Sequence, residues 1–161
     1  MPDEPMTLSA TYPAEPPSVP RGRRELTDFA VAAGADARQL DAIRLASSEA
    51  LTNAVVHAYR GEPGLVHVTA AVTSGELWIL IADDGSGMQP RADGPGLGLG
   101  LALIAQMSDE LAVVSRANGG TEVRMRFDLV EAGPRDPADS GAVACGSRAL
   151  AKRSPSSQPL R

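Results

Sequence analysis

The chain has 161 residues, 43% of them apolar, with a formal net charge of −5; that length and apolar content suit one domain with its own core. The charge is uneven: residues 1–131 hold 10 Arg against 18 Asp and Glu, a balance of −8, and residues 132–161 hold 5 Lys and Arg against 2 Asp, a balance of +3. An acidic body argues against direct nucleic-acid binding. No apolar run has the roughly 18 residues of a membrane span, the start Met1-Pro2-Asp3-Glu4 lacks the basic region of a signal peptide, and the lone Cys145 cannot close an internal disulfide. The expectation is a cytoplasmic protein without a membrane anchor.

Residues 1–17 hold five prolines and read as an extended segment, with an edge strand over Thr7–Tyr12. A helix is predicted from Ser18 to Gly34, with Leu26, Phe29, Ala30 and Ala33 at helical spacing. Asp36 then reads as an N-cap with Gln39 as its capping-box partner, opening a helix that runs to about Tyr59. Gly61 and Pro63-Gly64 stop it. Two strands follow, Leu65–Val72 and Leu77–Ala82, in a hairpin through Ser74-Gly75. The second is continuously apolar and suits a central strand. Residues 84–97 form a glycine-, proline- and aspartate-rich loop with the length of a lid. A short helix over Leu99–Met107 precedes the strands Leu111–Ser115 and Thr121–Leu129, joined through Asn118-Gly119-Gly120. The tail from Ala132 has no periodicity and reads as disordered. Strands grouped apart from helices imply an α+β two-layer sandwich, with a mixed, mainly antiparallel sheet covered by helices on one face.

Three stretches bear chemistry. In Glu49-Ala-Leu-Thr-Asn53-Ala-Val-Val-His57 the carboxylate and carboxamide share a helix face one turn apart. The plain reading is a solvated helix face. Beside the other two motifs it becomes a site: an amide oxygen with phosphate oxygens is a typical Mg²⁺ set, and Glu49 can activate a water or a hydroxyl nucleophile. His57 repeats the spacing, but a partly buried, hydrogen-bonded histidine at a helix end accounts for it. His67 is assigned no role.

Asp83-Asp-Gly85-Ser-Gly87 leaves the apolar strand. It is either a strand-ending turn or a buried carboxylate that accepts a hydrogen bond from a purine amino group, with Gly85 and Gly87 leaving room for the base. Gly94-Pro-Gly96-Leu-Gly98-Leu-Gly100-Leu fails the dinucleotide fingerprint in every register, because positions 99, 101 and 103 are leucine. It does fit a loop ending at a helix N-terminus, where free N–H groups favour phosphate. Arg91 fits a phosphate contact or a solvated loop charge equally well. Gly120-Thr121 fits a turn or a nucleotide contact. The only lysine, Lys152, lies in the tail, so the body offers neither the P-loop lysine nor the strand lysine of eukaryotic-type protein kinases.

In order and spacing these motifs resemble the GHKL ATPase superfamily, of gyrase, histidine-kinase and MutL type. Glu49 and Asn53 match its N box, Asp83-x-Gly85-x-Gly87 its G1 box, Gly96-Leu-Gly98-Leu-Gly100-Leu its G2 box, and Gly120-Thr121 its late Gly-Thr element. Residues 18–131 would form the histidine-kinase-like ATP-binding domain. Ser48-Glu-Ala-Leu-Thr-Asn-Ala-Val-Val-His-Ala-Tyr59 is similar to the N box of the anti-sigma factor serine kinases. That resemblance implies ATP and Mg²⁺ as cofactors, phosphorylation of a serine on an anti-anti-sigma (STAS) partner, sequestration of a sigma factor, and a homodimer. It assigns Asn53 to Mg²⁺, Glu49 to the base, Asp83 to adenine, the five glycines Gly85, Gly87, Gly96, Gly98 and Gly100 to the base and phosphate path, and Thr121 to a supporting contact. Two alternatives stand beside it: an ATP-gated partner-binding module with little phosphotransfer, and a stand-alone histidine-kinase-type ATPase domain. The latter needs a phosphoacceptor histidine on a dimerisation helix pair, whereas His57 lies inside the N box.

Overall fold

The computed structural model describes residues 5–87 and 97–129. They form strand β1 (Thr7–Pro13), helices α1 (Ser18–Ala32) and α2 (Ala37–His57), strands β2 (Leu65–Thr73) and β3 (Glu76–Asp83), helix α3 (Leu97–Met107), and strands β4 (Glu110–Ser115) and β5 (Thr121–Asp128). All eight elements occur in the order expected from the sequence, with ends shifted by up to two residues. The disordered tail, Arg91, Gly96 and most of the lid loop were expected at positions that lie outside the described residues.

The strands make one sheet in the order β1-β2-β3-β5-β4. All four pairings are antiparallel, so within the described residues the expected mixed, mainly antiparallel sheet is wholly antiparallel. β3 lies at its centre, as the unbroken apolar run Leu77–Ala82 requires. β1 is an edge, and its Pro13 sits at the strand end, where a missing N–H costs no ladder bond.

Side-chain alternation splits the sheet into two faces. Val66, Val68 and Ala70 of β2, Leu77, Ile79 and Ile81 of β3, and Val123, Met125 and Phe127 of β5 are buried with Leu26, Phe29, Ile43, Ala46, Leu51 and Ile104 of the helices in one core cluster. The register carries the same face onward. Ile81 pairs with Val123, so Asp83 and Thr121, two residues beyond each, meet on the helix side.

The helices are placed by local chemistry. Asp36 accepts from the Gln39 backbone N–H at 2.8 Å, and the Gln39 side chain accepts from the Asp36 N–H at 2.9 Å, closing the expected capping box. A cap of this kind is worth ~1 kcal/mol. α1 crosses α2 at Gly22, where an added Cβ would lie 3.1 Å from a Leu51 methyl group.

Candidate functional site

α2 presents Glu49, half-buried, and Asn53, buried. α3 approaches this face at Gly100. A Cβ there would lie 3.1 Å from Glu49 Oε2 and 3.6 and 3.7 Å from Asn53 Nδ2 and Oδ1. The third glycine of the loop motif and the two polar residues of α2 are therefore brought together. Asn53 Nδ2 is buried and has no hydrogen-bond partner among the described residues. Leaving a buried donor unsatisfied costs ~1–3 kcal/mol, so an acceptor arriving here is favoured. Gly98, in the first turn of α3, is exposed, with nothing among the described residues within 4 Å of its Cβ position.

The second part is the turn after β3. Asp83 is 6% exposed, and its Oδ1 accepts from the Gly85 N–H at 3.0 Å and the Thr121 N–H at 3.3 Å. Burial pushes its carboxyl pKa up, and those two N–H donors pull the other way. Both donors reach the same oxygen, so Oδ2 lies outside this pair. Gly85 sits against the end of α2: a Cβ would fall 2.2 Å from the Ala58 carbonyl oxygen. The constraint visible at Gly85 is thus backbone packing. Ser86 N–H donates to that same carbonyl at 3.1 Å. Gly87 adopts φ +78° and Gly120 φ +89°, and a Cβ on Gly120 would strike the Asp83 carbonyl oxygen at 2.0 Å. Both positions favour glycine for conformation, and Gly120 requires it for space as well.

His57 is exposed at the end of α2, which corrects the expectation of a partly buried, hydrogen-bonded histidine. Its face of the helix has turned out of the core by the last turn, and a basic group there complements the helix dipole.

Residues that sequence reasoning left aside gather around Asp84. His67 Nε2 lies 2.6 Å from Asp84 Oδ2, and its Nδ1 lies 3.2 Å from Thr11 Oγ1. Arg116 forms an ion pair with Asp84 and donates to the Asp83 carbonyl at 3.0 Å. The Asp84 N–H donates to the Tyr59 hydroxyl at 2.7 Å, and that hydroxyl donates to the Leu65 carbonyl at 2.5 Å. The hydrogen bond from His67, followed by Arg116, holds the Asp84 carboxyl below its ordinary pKa. Strand parity was the available signal, since Thr11 pairs with His67 and His67 with Ala82, which puts His67 and Asp84 on one open face. Among the described residues no cluster of three or more His, Cys, Asp and Glu could hold a metal unaided, and no helix is long and apolar enough to cross a membrane.

Comparison with known proteins agrees with this fold. The family model of the histidine kinase-like ATPase domain matches residues 12–127. An anti-sigma F factor of Clostridium acetobutylicum is 32% identical over 106 residues, covering 58% of this chain and 74% of that protein. One from Halalkalibacterium halodurans is 31% identical over 105 residues, covering 58% and 72%. A crystal structure of RsbU and RsbW domains from Mycobacterium tuberculosis superposes with a TM-score of 0.61 at 25% identity. That match covers 76% of this chain and 32% of the other, so the likeness concerns about a third of that longer chain.

Proposed function

Given that the chain belongs to the histidine kinase-like ATPase domain family, we propose that it is an ATP-binding anti-sigma factor that acts as a Mg²⁺-dependent protein serine kinase. Its substrate is a serine on an anti-anti-sigma partner of the STAS type. It holds a sigma factor, works as a homodimer, and resides in the cytoplasm. The likeness to anti-sigma F factors supports the anti-sigma role. The observation that carries the nucleotide reading is the unpartnered, buried Asn53 Nδ2 beside Gly100, since phosphate oxygens supply the acceptor it lacks.

The donor set fits Mg²⁺. The Asn53 amide oxygen is a hard ligand of the kind Mg²⁺ prefers, and with Glu49 one turn away it would hold the ion beside the nucleotide phosphates. When bound, Mg²⁺ neutralises charge on the transferring phosphoryl group. The chain's own residues supply the rest. Asp83 accepts from the adenine amino group. Gly85, Gly87, Gly96, Gly98 and Gly100 line the base and phosphate path, with Thr121 supporting Asp83. Glu49 takes the proton of the partner's serine hydroxyl as that oxygen bonds to the γ-phosphorus and ADP departs with the bridging oxygen.

The experiment is incubation of the purified chain with labelled ATP, Mg²⁺ and candidate STAS proteins, followed by detection of phosphoserine and of sigma-factor capture. Label on the partner's serine is the expected result. ATP binding and sigma capture without any label would leave a partner-binding module in place of a kinase.

A further inference from the structure

Adjacent acids at the end of a strand point to opposite faces. Asp83 faces the helices, where it is read above as the adenine acceptor, and Asp84 faces the open side, where it touches no nucleotide in that reading. The pairing of β3 with β5 ends at Ala82–Glu122. Beyond it Asp83 comes opposite Thr121 and Asp84 opposite Gly120, whose backbone crowds the Asp83 carbonyl oxygen: a Cβ on Gly120 would fall 2.0 Å from it. The Arg116 guanidinium reaches that carbonyl, donating to it at 3.0 Å from the same Nη1 that pairs with Asp84. Arg116 is itself fixed: its N–H donates to the Gly120 carbonyl, and its own carbonyl accepts from the Gly119 N–H, both at 3.1 Å.

We propose that Arg116 is a positioning residue for adenine recognition. By holding the main chain of residues 83 and 84 from the β4–β5 hairpin, it sets where the Asp83 carboxylate points. A surface ion pair alone does little. What separates Arg116 from such a pair is one guanidinium nitrogen shared between a charged side chain and a part-buried main-chain carbonyl, a charge-assisted and directional contact. Tyr59, just past the end of α2, and His67 of β2 steady Asp84, but of the three only Arg116 bonds to both residue 83 and residue 84. A shift of the turn by a few tenths of an ångström degrades a hydrogen bond to the base edge while leaving phosphate contacts at α2 and α3 untouched. Base discrimination is therefore the property Arg116 controls.

The inference rests on the nucleotide-binding reading, and calorimetry with Mg-ATP and Mg-GTP on the full chain tests it. Wild type should prefer ATP. Arg116→Ala should weaken ATP binding about tenfold with GTP affinity nearly unchanged, collapsing the preference. Arg116→Lys, which keeps a charged donor, should restore most of it. Arg116→Gln, with a donor and no charge, should fall between, and these two variants carry the test if the alanine protein does not fold. Equal losses for both nucleotides, or an unchanged ratio, would overturn the positioning role while leaving nucleotide binding intact. A wild type that binds ATP and GTP alike removes Asp83 as a base reader and Arg116 with it. A wild type that binds neither defeats the nucleotide reading itself.

Discussion

Asp83 and Asp84 show how two identical side chains acquire opposite properties from their surroundings. Burial raises the pKa of the first above its ordinary 3.8, and hydrogen bonding lowers that of the second. With a raised folded value, native Asp83 binds more protons than unfolded Asp83 as pH climbs from 3.8 through its folded pKa, so stability is lost over that window. Asp84 works in the other sense: it adds stability above 3.8 that disappears as pH falls through its lowered value. Asp83→Asn removes only the first effect. Apo melting curves should therefore show the variant gaining on wild type as pH rises from about 3 to 7. Saturating ATP should then reverse the order at neutral pH, because an amide NH₂ facing the adenine amino group costs ~1–3 kcal/mol. Equal stabilisation of both proteins by ATP would reduce Asp83 to a turn residue. Asn53 is simpler. On the proposed reading Asn53→Ala loses a Mg²⁺ ligand and the waiting N–H donor, and calorimetry with Mg²⁺ should show ATP binding at least about tenfold weaker, roughly 1.4 kcal/mol. An affinity equal to wild type would take Asn53 out of the site.

The elements were largely legible because each carries its own local signal. The capping box announced α2, Asn118-Gly119-Gly120 marked the last hairpin, and the apolar run of β3 marked it as central. The network around Asp84 was not legible, since its contacts join residues 17 to 32 positions apart through strand register and a hairpin. His57 was misplaced for a related reason: helical spacing says which residues share a face, but not where that face ends against the core. The glycines show the same limit. The family resemblance groups them as one base and phosphate path, yet Gly85 is fixed by the Ala58 carbonyl and Gly98 meets nothing among the described residues within 4 Å. Gly85→Ala should destabilise the fold by ~1–3 kcal/mol or more, as overpacking against backbone does. Gly98→Ala should raise apo stability by ~0.5–1 kcal/mol through helix propensity. Chemical denaturation separates them. If Gly98→Ala stabilises the apo protein but weakens ATP binding, the empty space above Gly98 belongs to the nucleotide. Unchanged ATP affinity would remove Gly98 from the path.

At the scale of the molecule, the site is assembled from parts that the chain order separates: the middle of α2, the start of α3, the turn after β3, and the β4–β5 hairpin. A ligand bridging them stabilises the whole fold, by ~2.7 kcal/mol at a hundred times its dissociation constant, so Mg-ATP should raise the melting temperature and chelation of Mg²⁺ should abolish most of that gain. Glu49 separates this global effect from chemistry. Its Oε2 lies beside Gly100 rather than in the turn that holds Asp83, and a base contributes chiefly in the transition state. Glu49→Gln should therefore keep the thermal gain from Mg-ATP while phosphoserine formation on a STAS partner slows by about 10²–10⁴-fold. Parallel measurement of melting shift and transfer rate decides it. A matching loss of both would make Glu49 a binding residue, and an unchanged rate would dismiss it as the base. Sigma capture that persists in Glu49→Gln would show that holding the sigma factor depends on the nucleotide-loaded shape of the molecule and not on the phosphate it transfers.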